Sequence, residues 1–200
     1  MWPWEHLGVG YLLYSLGCRA LGRDPPSDAE ATVLACSVLL PDLIDKPLSW
    51  GLGWVTGGYT VGHSLVLAVP AGLGALTVAR RRGTPRLGVA AVVGYWSHLL
   101  GDVVSPLRSG GQLGFRRVGW PFVERIPYTS DRGLERGVEY LRAFLSEIPS
   151  TDPLSFVLLY LLAPGAVVAV WVADGAPGVA VPGRLLAVLQ KCCVCEAAPT

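Results

Sequence analysis

Residues 154–173 read LSFVLLYLLAPGAVVAVWVA, twenty positions without a charge. A helix rises about 1.5 Å per residue, so this run covers roughly 30 Å, the depth of a bilayer's hydrocarbon core. The remainder of the chain points the same way. It is 52% hydrophobic and only 16% charged, against about 25% charged in average chains. Its mean hydropathy is +0.46. The 25 glycines and 16 prolines interrupt apolar runs and form no low-complexity tract, an arrangement that membrane helices tolerate when their neighbours satisfy the backbone. The net charge of +1 argues against a nucleic-acid partner, whose binding rests on bulk positive charge.

Five apolar segments, 6–22, 29–44, 61–79, 87–107 and 154–173, predict an all-α fold. The expected form is a polytopic transmembrane helix bundle of about five spans with an interfacial amphipathic helix. The first two segments are short enough to be tilted, re-entrant or shielded. Residues 1–175, with the polar loop 108–153, are expected to form one membrane-embedded domain. Residues 176–200 then make an interfacial or cytoplasmic tail, in which the apolar stretch 178–189 is too short to span. The opening MWPWEHLGVG lacks the positive region of a secretory signal, so the first segment is expected to be retained.

Within the polar loop, Ser130 offers a helix start, and Leu134, Val138, Leu141, Leu145 and Ile148 recur at helical spacing. Arg132, Glu135, Arg136, Glu139 and Arg142 occupy the other face. The pattern suits a helix on the membrane surface or capping the bundle, and equally a soluble packing helix. Cys18 and Cys36 lie in apolar segments and are expected to be small buried hydrophobes. Cys192, Cys193 and Cys195 in KCCVCE have neither zinc-knuckle spacing nor the count of a disulfide framework. Metal binding, lipidation and no role all stay open for them.

The ionisable groups fall at particular ends of the spans. His6 opens the first, Asp42 and Asp45 in LLPDLID close the second, His63 opens the third, and His98 and Asp102 lie late in the fourth. The start of an odd span and the end of an even one share a side, so all three histidines and these carboxylates gather in one leaflet. The other ends carry Arg19, Arg23 and the tight loop RRRGTPR (80–86), with Asp24, Asp28, Glu30 and Asp174 expected in loops. Positive-inside reasoning makes that face cytoplasmic and the histidine face extracytoplasmic. The seven arginines of 108–153 pull the other way.

Ionisable groups inside membrane spans are by default a functional site. His98 and Asp102, four residues apart, share a helix face. Three imidazoles with hard carboxylate oxygens form a ligand set for a divalent metal, zinc first, with manganese or magnesium as alternatives. Such an ion offsets the desolvation of these groups and acidifies bound water to a pKa near ~7 in zinc sites. Taken singly, each motif also reads as a hydrogen-bonded pair or a helix end. Proton relay is a second reading, but the opposite halves of these spans offer no continuing path. A non-catalytic scaffold is a third.

WEH (4–6), LLPDLID (39–45), GHSL (62–65) and SHLLGD (97–102), in that order, resemble the YdjM-like family of membrane-bound proteins described as metal-dependent hydrolases. WPF at 120–122 extends the likeness, which covers about residues 4–125. The order is also distantly similar to the first half of the ligand set of zinc-dependent phospholipase C. That likeness implies one ion held by Asp42, His63, His98 and Asp102, or a pair sharing Asp102 with His6 on the second. No histidine follows His98, so a three-zinc site is not expected.

The resemblance implies hydrolysis of an ester or phosphoester, with a membrane lipid or lipid-linked molecule as the substrate suggested by location. Asp45 is the candidate general base or orienting residue, and Glu5 a second candidate for that role. Arg116, Arg117 and Arg125 are candidates for engaging a phosphate, or are simply solvated or headgroup-contacting.

Overall fold

The computed structural model describes residues 1–55, 57–123, 133 and 135–183. Arg125, Ser130, Arg132, Leu134 and the cysteines of the tail lie outside the described residues. Within them every regular element is helical. The elements are α1 (Pro3–Ala20), α2 (Asp28–Lys46), α3 (Leu65–Arg81), α4 (Pro85–Val104), α5 (Glu135–Glu147) and α6 (Pro153–Ala173).

Local sequence explains the helix ends. Ser27 accepts a hydrogen bond from the Glu30 amide at 3.3 Å, and the Glu30 carboxylate accepts one from the Ser27 amide at 3.0 Å, a reciprocal cap that starts α2. Ser64 caps α3 through the Leu67 amide at 3.3 Å, so His63 sits in the turn before that helix and not within it. Pro164 has no amide hydrogen and crowds the carbonyl one turn back. The preceding turns, Val157–Leu162, are wound as π-helix.

Helix α4 is the centre of the bundle, packed against α1, α2 and α3, while α6 lies against α1. Glycines allow the closest approaches. A Cβ on Gly94 of α4 would lie 2.6 Å from the Leu34 carbonyl oxygen, and one on Gly10 of α1 would lie 2.7 Å from Val38 Cγ2. Packing of small residues brings membrane helices into such contact. One apolar cluster joins Tyr11, Tyr14, Cys18, Leu34 and Ala90, and a second joins Ala68, Leu99, Val103 and Val118. Cys18 is buried as expected, whereas Cys36 is exposed.

Two helices are long and apolar enough to cross a membrane, Pro85–Arg108 and Pro153–Ala173. The others fall short of that measure for visible reasons. Helix α3 has 17 residues, α1 carries Glu5 and Arg19, and α2 carries acids in both end turns. None of the α6 window is buried. Apart from Val167 and Val170, half-buried toward α1, its leucines and valines face outward, a surface suited to hydrocarbon and ill suited to water.

Glu30, expected in a loop, is instead buried in the first turn of α2 and ion-paired with Arg86 at 2.7 Å. Asp174, just past α6, fastens that helix to α1. It accepts hydrogen bonds from Ser15 Oγ at 2.6 Å and Tyr11 Oη at 2.7 Å, and pairs with Arg19 at 2.5 Å. Burial pushes the Asp174 carboxyl up, but these three donors outweigh it and hold it below the usual carboxylate range.

Helix α5 lies across the end of the bundle where α1 starts. Phe144 meets Trp2 and Trp4 with ring centroids 4.9 and 5.8 Å away, and Tyr140 meets Trp50 at 6.0 Å. The contact is therefore aromatic. Val138, Leu141 and Leu145 of the helically spaced apolar stripe are exposed on the neighbouring flank.

Candidate metal centre

Antiparallel alternation brings the start of α1, the end of α2, the turn before α3 and the end of α4 to one end of the bundle. There His6, His63 and His98 are 1%, 0% and 0% exposed, and Asp45 and Asp102 are 0% and 2% exposed. The Asp42 side chain, at 13%, is the most open of the group.

Asp45 is the organiser. Its two oxygens accept hydrogen bonds from the Thr60 amide at 2.6 Å, Thr60 Oγ1 at 3.0 Å, the Gly62 amide at 2.8 Å and the His63 amide at 3.2 Å. The fifth partner is His63 Nδ1 at 2.7 Å. A carboxylate only accepts, so Nδ1 carries the proton and the lone pair of Nε2 points the other way. Gly62 makes the wrap possible, because a Cβ there would lie 2.5 Å from the Pro41 carbonyl oxygen. The Tyr95 hydroxyl donates to the Gly62 carbonyl and pins the loop to α4.

His63 Nε2 faces His98 Nε2 at 3.1 Å, Asp102 Oδ2 at 3.3 Å and Asp42 Oδ1 at 3.6 Å. His98 Nε2 lies 3.5 Å from Asp102 Oδ2 and 3.8 Å from Asp42 Oδ1. These are five of the six edges of a four-cornered donor cage. Bonds of ~2.0–2.1 Å in a tetrahedral zinc site imply edges of about 3.3–3.4 Å. In these five separations and in their chemistry the donors suit a divalent ion.

Asp102 turns its other oxygen elsewhere. Oδ1 lies 3.4 Å from His6 Nε2, and the His6 and His98 rings stack with centroids 3.9 Å apart. Gly101 admits His6, since a Cβ there would lie 3.0 Å from His6 Nδ1. His6, His98 and Asp102 form one group able to hold a metal, and Asp42, His63 and His98 another.

The remaining candidates fall around this centre. Glu5 accepts from the Trp2 amide at 2.8 Å, which caps α1, and pairs with Arg108 at 2.5 Å. Arg117 donates to the Asp102 carbonyl at 3.2 Å and to Ser105 Oγ at 2.8 Å, and lies over the Tyr59 ring at 5.4 Å. It braces the end of α4. Arg116 is exposed.

Sequence reasoning missed Thr60, Gly62 and Tyr95, whose contributions are backbone contacts or long-range bonds. It also missed Lys46, which ion-pairs with Asp42 and lies 5.5 Å from the centre of the Trp50 ring. That pair had a signal in LLPDLIDK, where Lys46 follows Asp42 by four residues on a helix.

A family model described as YdjM inner membrane protein matches residues 1–176. No curated protein and no solved structure matches the chain.

Proposed function

We propose that this chain, which belongs to the YdjM inner membrane protein family, is a metal-dependent hydrolase of an ester or phosphoester at the membrane surface. The observation that carries the reading is the cage of Asp42, His63, His98 and Asp102, in which five donor separations run from 3.1 to 3.8 Å. Zinc is the first candidate, with manganese or magnesium behind it. A divalent ion so held supplies Lewis acidity and acidifies water near neutral pH. Asp102 faces His6 with one oxygen and the other two histidines with its second, so the reading covers one ion or a pair sharing that carboxylate.

Asp45 acts in this scheme as a positioning residue. All five of its hydrogen bonds go to the loop it holds, and its work is to aim His63 Nε2. Asp42 lies at the opening, with Lys46 beside it as a cation able to meet an anionic oxygen of the substrate. Arg116 and Arg125 are further candidates for a phosphate contact. Arg117 contributes by fixing the end of α4.

The topology we propose has α1–α4 and α6 crossing the membrane, with the histidine end extracytoplasmic. The tight basic loop at the other end supports that orientation. A site at the bilayer margin suits a lipid or lipid-linked substrate.

The test uses purified full-length protein in lipid vesicles, with phosphomonoester, phosphodiester and carboxylic ester lipids supplied in turn. Hydrolysis of one class, abolished by chelator and restored by a divalent ion, is expected. No hydrolysis of any class after metal loading, or a proton flux that persists in chelator, contradicts the reading.

A further inference from the structure

The end of the bundle away from the histidines holds charge that has no part in the metal centre. Its acids are mostly committed. Glu30 pairs with Arg86, Asp174 with Arg19, and Asp28 accepts from the Gly178 amide at 2.8 Å. Four guanidiniums are not committed. Among the described residues Arg23, Arg80, Arg81 and Arg82 make no side-chain hydrogen bond or ion pair, and Asp24 is the one acid of that end in the same condition.

These four lie at the same end of the bundle, on its rim. Arg86 Nη2 donates to the Asp24 carbonyl at 3.0 Å and the Pro25 carbonyl at 3.3 Å, which holds the turn between α3 and α4 against the loop between α1 and α2. Below that rim a groove of about 180 Å³ runs between α1 and α4. Its walls are mainly apolar, including Leu13, Leu21, Val89 and Val93, and Arg23 and the ion-paired Arg86 also line it. A mainly apolar slot with a free cation in its lining, on the flank of an inner membrane protein, is complementary to an amphiphile with an anionic head.

We propose that this groove seats an anionic phospholipid. The phosphate meets Arg23, Arg80–Arg82 supply the surrounding positive field, and an acyl chain lies along Leu13, Val89 and Val93. The proposal stands apart from the hydrolase reading, because it uses no residue of the metal centre and concerns a resident lipid, not a substrate.

The experiment compares spin-labelled phosphatidylglycerol with spin-labelled phosphatidylcholine on full-length protein in phosphatidylcholine vesicles. Wild type is expected to favour phosphatidylglycerol by about fivefold, the scale of one well-placed guanidinium. Arg23→Gln, an exposed position without a side-chain partner, should remove most of that preference. Val89→Trp, which fills the groove and leaves the charge unchanged, should also reduce it. Arg142→Gln on α5 should leave it intact. The proposal is overturned if wild type shows no preference. It is equally overturned if Val89→Trp keeps the full preference, or if Arg142→Gln lowers it as much as Arg23→Gln, since charge alone would then account for the binding.

Discussion

Replacing Asp45 by alanine is expected to lower divalent-metal affinity by ~100-fold, the upper end of the range for partners that orient a metal-binding histidine. The same change strands three backbone amides, the Thr60 hydroxyl and the His63 ring proton in a buried place. Removing one member of a buried charged network destabilises by about 3–5 kcal/mol. Asp45→Asn keeps the volume and one acceptor oxygen, so it should retain more of the fold than alanine while still losing affinity. Its amide also removes the fixed preference for a proton on His63 Nδ1. Metal titration calorimetry alongside thermal unfolding in detergent separates the two effects. Unchanged affinity in the asparagine variant would mean that His63 needs no orienting partner.

A second large effect is expected at a residue with no chemistry of its own. In Gly94→Ala the new Cβ would lie 2.6 Å from the Leu34 carbonyl oxygen, 3.1 Å from Ser37 Cβ and 3.2 Å from the Val38 amide nitrogen. Two of those atoms are backbone and the third is a β-carbon, so no side-chain rotation relieves the clash. Helices α2 and α4 must move apart, at a cost of about 1–3 kcal/mol or more. Because α2 carries Asp42 and α4 carries His98 and Asp102, the separation opens the cage as well. Gly94→Ala should therefore lower both the unfolding temperature and the metal affinity. Gly74→Ala is the matched control, because its Cβ meets nothing within 4 Å. Equal behaviour of the two variants would show that α2 and α4 tolerate a wider spacing than this packing requires.

The helices and the gathering of the histidines were legible because both follow from one-dimensional rules. Apolar run length marks the segments, and the alternation of chain direction decides which ends meet. The parity of His6, Asp42, His63 and His98 needs no knowledge of packing. What the sequence did not disclose depends on backbone atoms. The wrap of residues 60–63 around Asp45 consists largely of amide hydrogen bonds, and an amide has no residue-specific signature. Gly62 and Gly94 matter through close approach to another helix, which a glycine in a greasy segment does not announce. The seat of α5, which the sequence left open between a membrane surface and a packing role, was not legible for a different reason. Leucine periodicity correctly marked an apolar sector, but Phe144 and Tyr140 on its flank make the contacts with the tryptophans. The exposed leucines suit a lipid surface.

The proposed function requires that imidazoles and carboxylates from four parts of the chain grip one divalent cation or a pair. Its most direct measurement is elemental analysis of full-length protein purified in detergent, loaded with zinc and then desalted. Wild type should retain zinc in stoichiometric amount, while His98→Ala and Asp102→Ala should retain almost none and still elute as folded protein. Wild type emerging without zinc, manganese or magnesium after loading, or both variants keeping a full complement, would contradict it.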